Sequence, residues 1–100
     1  MCLQIAYILG ATGRSFLTGF GCEFPKDIHH RDAALTLEES SGSCSVFTTP
    51  GANANQIVGA LVGGPDASDT YVDERTNFQA NEVALDYNAA FIVGLVQSSL

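Results

Sequence analysis

The sequence predicts an all-α fold interrupted by long loops, and three observations carry that expectation. Residues 81–97 are helical in pattern and apolar nearly all round, because Val83, Ala84, Leu85, Tyr87, Ala89, Ala90, Phe91, Ile92, Val93, Leu95 and Val96 cannot share one stripe. A helix apolar on every side belongs inside a large helical body or a membrane. Glu82, Asp86 and Asn88 crowd its first two turns and favour the helical body. Residues 2–9 place Leu3, Ile5, Tyr7 and Leu9 near helical spacing, with Gly10 where a C-terminal cap belongs. Residues 11–56 instead carry Gly13, Gly19, Gly21, Pro25, Gly42, Pro50 and Gly51, with a serine-rich turn at Ser40, Ser41 and Ser43. Loops of that length usually carry function.

In chain order, the first helix begins at Met1 without an N-cap and reads as the end of a longer helix. Residues 56–62 form a short apolar stretch closed by Gly63-Gly64-Pro65, either a buried strand or one helical turn. Residues 65–70 are a polar turn rich in Asp and Ser. Asn81 is the expected N-cap of the last helix, and Glu82 suits its first turn, where the helix dipole favours negative charge. No internal repeat or low-complexity segment is visible.

Composition narrows the function classes. Of 100 residues, 46% are hydrophobic and 15% charged, with a mean hydropathy of +0.16. A chain this size buries roughly 65% of its unfolded surface. So apolar a composition implies surface that faces further protein, from a larger body or from a second copy in a homo-oligomer. The net charge is −7 with only four Lys and Arg, and no basic stripe exists to neutralise phosphates. Nucleic acid and anionic membranes are therefore excluded as partners. Cys2, Cys22 and Cys44 show no metal-ligand spacing. They allow one disulfide plus a free thiol, or a partner cysteine elsewhere in a longer chain. The first residues lack the basic region of a signal peptide, and no apolar run approaches the ~18 residues of a membrane span.

Three groupings could carry chemistry. His29, His30 and Arg31 follow an aromatic and glycine-rich loop. Adjacent histidines do not chelate one metal easily, so the cluster suits hydrogen bonding to a polar neutral ligand, or the holding of a carboxylate. Read blandly, it is a pair of surface histidines. Asp73 and Glu82 lie nine residues apart across a loop-to-helix junction, a spacing that lets both reach one cleft. Carboxylates in unlike environments are how hydrolases obtain a protonated acid beside an ionised group, whereas the bland reading is a turn Asp and a capping Glu. Glu82 and Asp86 share a helix face at i, i+4 spacing, with Tyr87 on its flank; for Asp86 a solvated first turn is the preferred reading.

Residues 71–89, YVDERTNFQANEVALDYNA, resemble the second active-site motif of glycoside hydrolase family 9, the endoglucanase family. Its pattern falls on Tyr71, Asp73, Phe78, Glu82, Ala84, Asn88 and Ala89 with every spacing intact. Residues 15–31, SFLTGFGCEFPKDIHHR, resemble the family's first motif through Ser15, Leu17, Thr18, Gly21, Ile28, His29 and Arg31. Glu23 departs from it, standing where the family usually has Asn, Lys or Arg. Residues 59–65, GALVGGP, resemble the segment between the motifs. The resemblance runs through nearly the whole chain.

The resemblance implies the C-terminal portion of an (α/α)6 toroid with long active-site loops, occupying residues 1–100 as an incomplete catalytic domain. It implies hydrolysis of internal β-1,4-glucosidic bonds of cellulose with inversion and no cofactor. Glu82 is then the general acid, Asp73 a supporting carboxylate, and His29, Arg31 and Tyr87 bind sugar at the scissile bond. The family's Asp-Ala-Gly-Asp-like base motif is absent from these residues, as are the calcium sites of some members. The expectation is therefore a fragment inactive by itself, from a secreted parent whose targeting signal lies outside this chain. The alternatives are a non-catalytic carbohydrate-binding remnant and a structural helical protein in which both motifs are coincidence.

Overall fold

The computed structural model of the chain describes residues 3–35 and 51–100. The serine-rich turn, Gly42, Pro50, Cys2 and Cys44 lie outside the described residues. Within them the regular elements are four helices: α1 (Leu3–Ile8), α2 (Arg31–Ala34), α3 (Phe78–Asn81) and α4 (Leu85–Ser99).

Helix α1 stops as its sequence dictates. Gly10 takes φ 103°, and the amides of Gly10 and Ala11 reach back to the carbonyls of Tyr7 and Ala6 at 3.1 and 2.9 Å. This left-handed cap satisfies carbonyls that the helix leaves orphaned. The buried face of α1 presents Ile5 to α4, where Gly94 leaves room for it: a Cβ there would lie 3.2 Å from Ile5 Cδ1.

Between these helices the described chain is mostly turns and irregular loop, pinned by three isolated bridges. Leu17 bridges Leu61, Val62 bridges Val83, and His29 bridges Glu82. The apolar stretch left open between strand and helix is neither: Val58 and Gly59 turn, and only Leu61 and Val62 pair, through isolated bridges. Phe16, Ile28, Ala33 and Val62 make the core, with Tyr7, Leu61, Tyr71 and Val83 packed against it. The Phe16 ring stacks edge-on against Tyr71 at 5.2 Å between centroids, a geometry that the ring quadrupoles favour.

The last helix begins three residues later than its pattern predicts, with Ala84 rather than Asn81 as its N-cap. Glu82 and Val83 are held extended by their bridges, and the β-branched Val83 suits that conformation. The N-cap is Ala84, without a side-chain cap. Asn81 caps nothing: it ends α3 and is fully buried. Tertiary pairing has overridden local propensity. The apolar girdle of α4 is real but mostly open here, with Phe91 buried and Leu85, Ile92, Val93 and Val96 exposed.

Candidate functional site

The site is built on the loop that ends in His29, His30 and Arg31. Both oxygens of Asp73 accept backbone N–H groups from that loop, Oδ2 from Lys26 at 2.8 Å and Oδ1 from Asp27 at 3.0 Å. Asp27 in turn accepts the amide of Asn53 at 3.0 Å, while Asn53 Nδ2 donates to the Ile28 carbonyl at 2.9 Å. Buried Arg75 donates to Asn53 Oδ1 at 2.6 Å and to the Gly51 carbonyl at 2.9 Å. This chain of charge-assisted bonds fixes the loop's course.

From that frame His29 is oriented at two points. Its amide donates to the Asn81 carbonyl at 2.8 Å, and its Nδ1 lies 2.8 Å from the Arg75 carbonyl. A carbonyl only accepts, so Nδ1 carries the proton of the neutral ring. The His29 ring also meets Phe78 at 6.0 Å between centroids.

Glu82 reaches the same place from α3. Its amide donates to the Phe78 carbonyl at 2.9 Å and its carbonyl accepts from Gly63 at 3.0 Å, which leaves the exposed side chain free of backbone duty. A cleft of about 340 Å³ is lined by His29, His30, Arg31, Asp32, Glu82 and Val83. Arg31 and Asp32 form an exposed ion pair, Nε to Oδ1 3.5 Å, of a kind that contributes little to stability.

The structure therefore brings His29, Arg31 and Glu82 together and puts Asp73 behind them, holding the loop rather than lining the cleft. One expectation needs correction. Glu82 is not in a helix first turn, so the dipole of α4 acts on Asp86 instead, and the two carboxylates do not share a helix face. The later start of α4 is the physical reason that Glu82 and Asp86 part. Tyr87, whose part in sugar binding this geometry leaves untouched, lies on α4 and lines a largely apolar cavity of about 500 Å³ with Ile5, Leu61 and Phe91.

Sequence reasoning missed the amides that hold this frame. Asn81 Nδ2 donates to the carbonyls of Val72, Glu74 and Asn77 at 2.8, 3.0 and 3.2 Å, and its Oδ1 accepts the Tyr71 hydroxyl. Asn88 acts as a surrogate strand, accepting from the Leu61 amide at 3.1 Å and donating to the Gly59 carbonyl at 2.7 Å. Both residues lie inside the second motif, and that position was the available signal. Burial, reinforced by the Asp73 charge and partly opposed by Arg14, keeps the Tyr71 hydroxyl protonated well above its ordinary range.

Cys22 is an exposed free thiol. Among the described residues no group of three His, Cys, Asp or Glu side chains could hold a metal ion. No described helix is long and apolar enough to cross a membrane.

Comparison with known proteins agrees with the motifs. A family model for glycosyl hydrolase family 9 matches residues 2–95. Endoglucanase 1 of Oryza sativa subsp. japonica is 39% identical over 103 residues, covering 93% of this chain and 16% of its own length. Among solved structures, an endoglucanase from the termite Nasutitermes takasagoensis superposes with TM-score 0.75 at 47% identity, over 88% of this chain and 20% of its own. The endoglucanase CelQ from Clostridium thermocellum, complexed with cellotetraose, superposes with TM-score 0.77 at 36% identity over 96% of this chain and 15% of its own. The chain thus spans a fifth or less of the length of these relatives. Its helices are a portion of the (α/α)6 toroid of such enzymes, as the sequence predicts.

Proposed function

Because the chain belongs to glycosyl hydrolase family 9, we propose that its cleft takes a β-1,4-glucan and that Glu82 protonates the departing glycosidic oxygen in an inverting hydrolysis. The observation that carries this reading is the bridge between His29 and Glu82, which seats an acid and a hydrogen-bonding ring on one cleft wall. The ligands of the structurally similar enzyme are of the same chemical class. A neutral sugar needs hydrogen bonds rather than countercharge, so the acidic balance of the chain is no obstacle.

In this mechanism His29 and Arg31 hold hydroxyls of the sugar beside the scissile bond, and Asp73 acts through the loop it anchors. Substrate binding is thereby assigned to His29 and Arg31, with Tyr87 on α4 as the third sugar-binding residue of the reading. A proton from Glu82 and a water molecule suffice, and no cofactor enters. Inversion needs a second carboxylate roughly 6.5–9.5 Å from the acid, with water between them. Asp73 is a poor candidate, because both its oxygens already accept backbone amides, and no Asp-Ala-Gly-Asp string occurs in the 100 residues. The base is then supplied by residues outside this chain. Residues 1–100 are accordingly the C-terminal segment of the catalytic domain of a secreted enzyme, inactive alone.

Two assays test the reading. The purified chain is expected to release no reducing sugar from carboxymethylcellulose. Grafted in place of the matching segment of a full-length family 9 endoglucanase, it is expected to restore hydrolysis, which Glu82→Gln then lowers roughly 10²–10⁴-fold, the usual contribution of a general acid. Activity in the isolated chain, or an active Glu82→Gln graft, contradicts it. Sugar binding combined with inactive grafts favours the second reading, a non-catalytic binding remnant, which the missing base motif also fits.

A further inference from the structure

His30 stands between two residues assigned to sugar binding and has no task in that assignment. Its carbonyl accepts the Ala34 amide at 3.0 Å, but its side chain makes no capping bond to α2. The ring forms part of the cleft wall. Together with Val83 it also borders an apolar recess of about 360 Å³ that includes Ile57, Val58 and Leu85.

The two ring nitrogens are not equivalent. Nδ1 is sealed from solvent and has no hydrogen-bond partner among the described residues. A buried N–H without an acceptor loses its hydration for nothing in return, and orphaned donors are the rarer defect in folded proteins. The proton of the neutral ring therefore sits on Nε2, the nitrogen left to serve the cleft. His29 has the opposite assignment, with its proton on Nδ1 facing Arg75. Consecutive imidazoles thus differ in which nitrogen donates, a pairing suited to hydroxyl groups, which both donate and accept.

We propose that His30 is a further sugar-binding residue of this cleft, its Nε2–H donating to a hydroxyl oxygen of the bound glucan. The assignment rests on the glucan reading above and adds to it a fixed donor beside Glu82.

Long-range ¹H–¹⁵N spectra of the imidazole-labelled 100-residue chain, recorded during titration with cellotetraose, test it. Before ligand is added, His30 is expected to show its proton on Nε2. On addition, the His30 Nε2 resonance is expected to move along the same saturation curve as the His29 signals. His30→Leu weakens binding roughly fivefold, the worth of one hydrogen bond, while His30→Gln, whose amide can replace the Nε2 donor, restores most of the affinity. If His29 signals move while His30 stays still, this assignment falls and the glucan reading survives. If neither moves, both fall. Should His30→Leu fail to fold, the Nε2 resonance and His30→Gln decide the matter alone.

Discussion

At the residue scale, the site depends on side chains that replace missing backbone partners. Asn81, Asn88, Asp73 and Asn53 each bond backbone groups of segments with no sheet or helix to satisfy them, and a buried amide or carbonyl left unpaired costs about 1–3 kcal/mol. Tyr71 completes the Asn81 cluster with its hydroxyl. Burial first, and the Asp73 charge second, hold that hydroxyl protonated above its ordinary value of 10.0. The folded chain therefore keeps a proton that the unfolded chain releases. Stability from Tyr71 is complete below that value and declines as pH rises through and beyond it. Tyr71→Phe is expected to weaken the fold by roughly 1 kcal/mol near neutrality, the loss of one hydrogen bond. It should also flatten the alkaline decline, as read from denaturation midpoints at neutral and strongly alkaline pH; an equally steep decline contradicts the account. The motif spacings pointed to Tyr71, Asp73 and Asn88 without revealing their work, and did not point to Asn53. Asn81 was legible as an important polar residue before an apolar run, which is what a helix cap looks like. Only the fold shows that its amide faces three carbonyls seven, nine and four residues back.

At the element scale, close backbone approach decides the architecture. A Cβ on Gly63 would lie 2.3 Å from the Gln79 carbonyl oxygen, a backbone atom that cannot step aside. Gly63→Ala is expected to cost about 2 kcal/mol or more, because it pushes the segment bearing Val62 away from α3 and Glu82. Gly94→Ala meets only the flexible tip of Ile5 at 3.2 Å and gains about 1 kcal/mol of helix propensity, so its stability should stay within about 1 kcal/mol of the parent. Urea denaturation of both variants checks the contrast, and equal losses would contradict it. The sequence makes the cap at Gly10 and the existence of α4 readable, because both are local. The start of α4 is not readable, because Glu82 and Val83 pair with residues about fifty and twenty positions earlier.

At the scale of the whole molecule, exposed Leu85, Ile92, Val93 and Val96 agree with the excess apolar composition. The chain spans only 15–20% of the solved structures cited above, and in an (α/α)6 toroid such faces pack on neighbouring helices. The family, the helical class and the nearness of His29, Arg31 and Glu82 were legible because two motifs keep their spacing across 100 residues. How Asp73 supports the site was not, since that depends on the backbone amides of Lys26 and Asp27 that it faces. One central claim remains to be measured: that His29, Arg31 and Glu82 share a sugar-binding cleft. Cellotetraose titrated calorimetrically into the parent chain, His29→Ala and Glu82→Gln tests it most directly. The parent should bind weakly, His29→Ala should lose roughly tenfold or more in affinity through its lost hydrogen bonds, and Glu82→Gln, nearly isosteric, should stay close to the parent. A parent that does not bind, or a His29→Ala variant that binds as tightly as the parent, would contradict it.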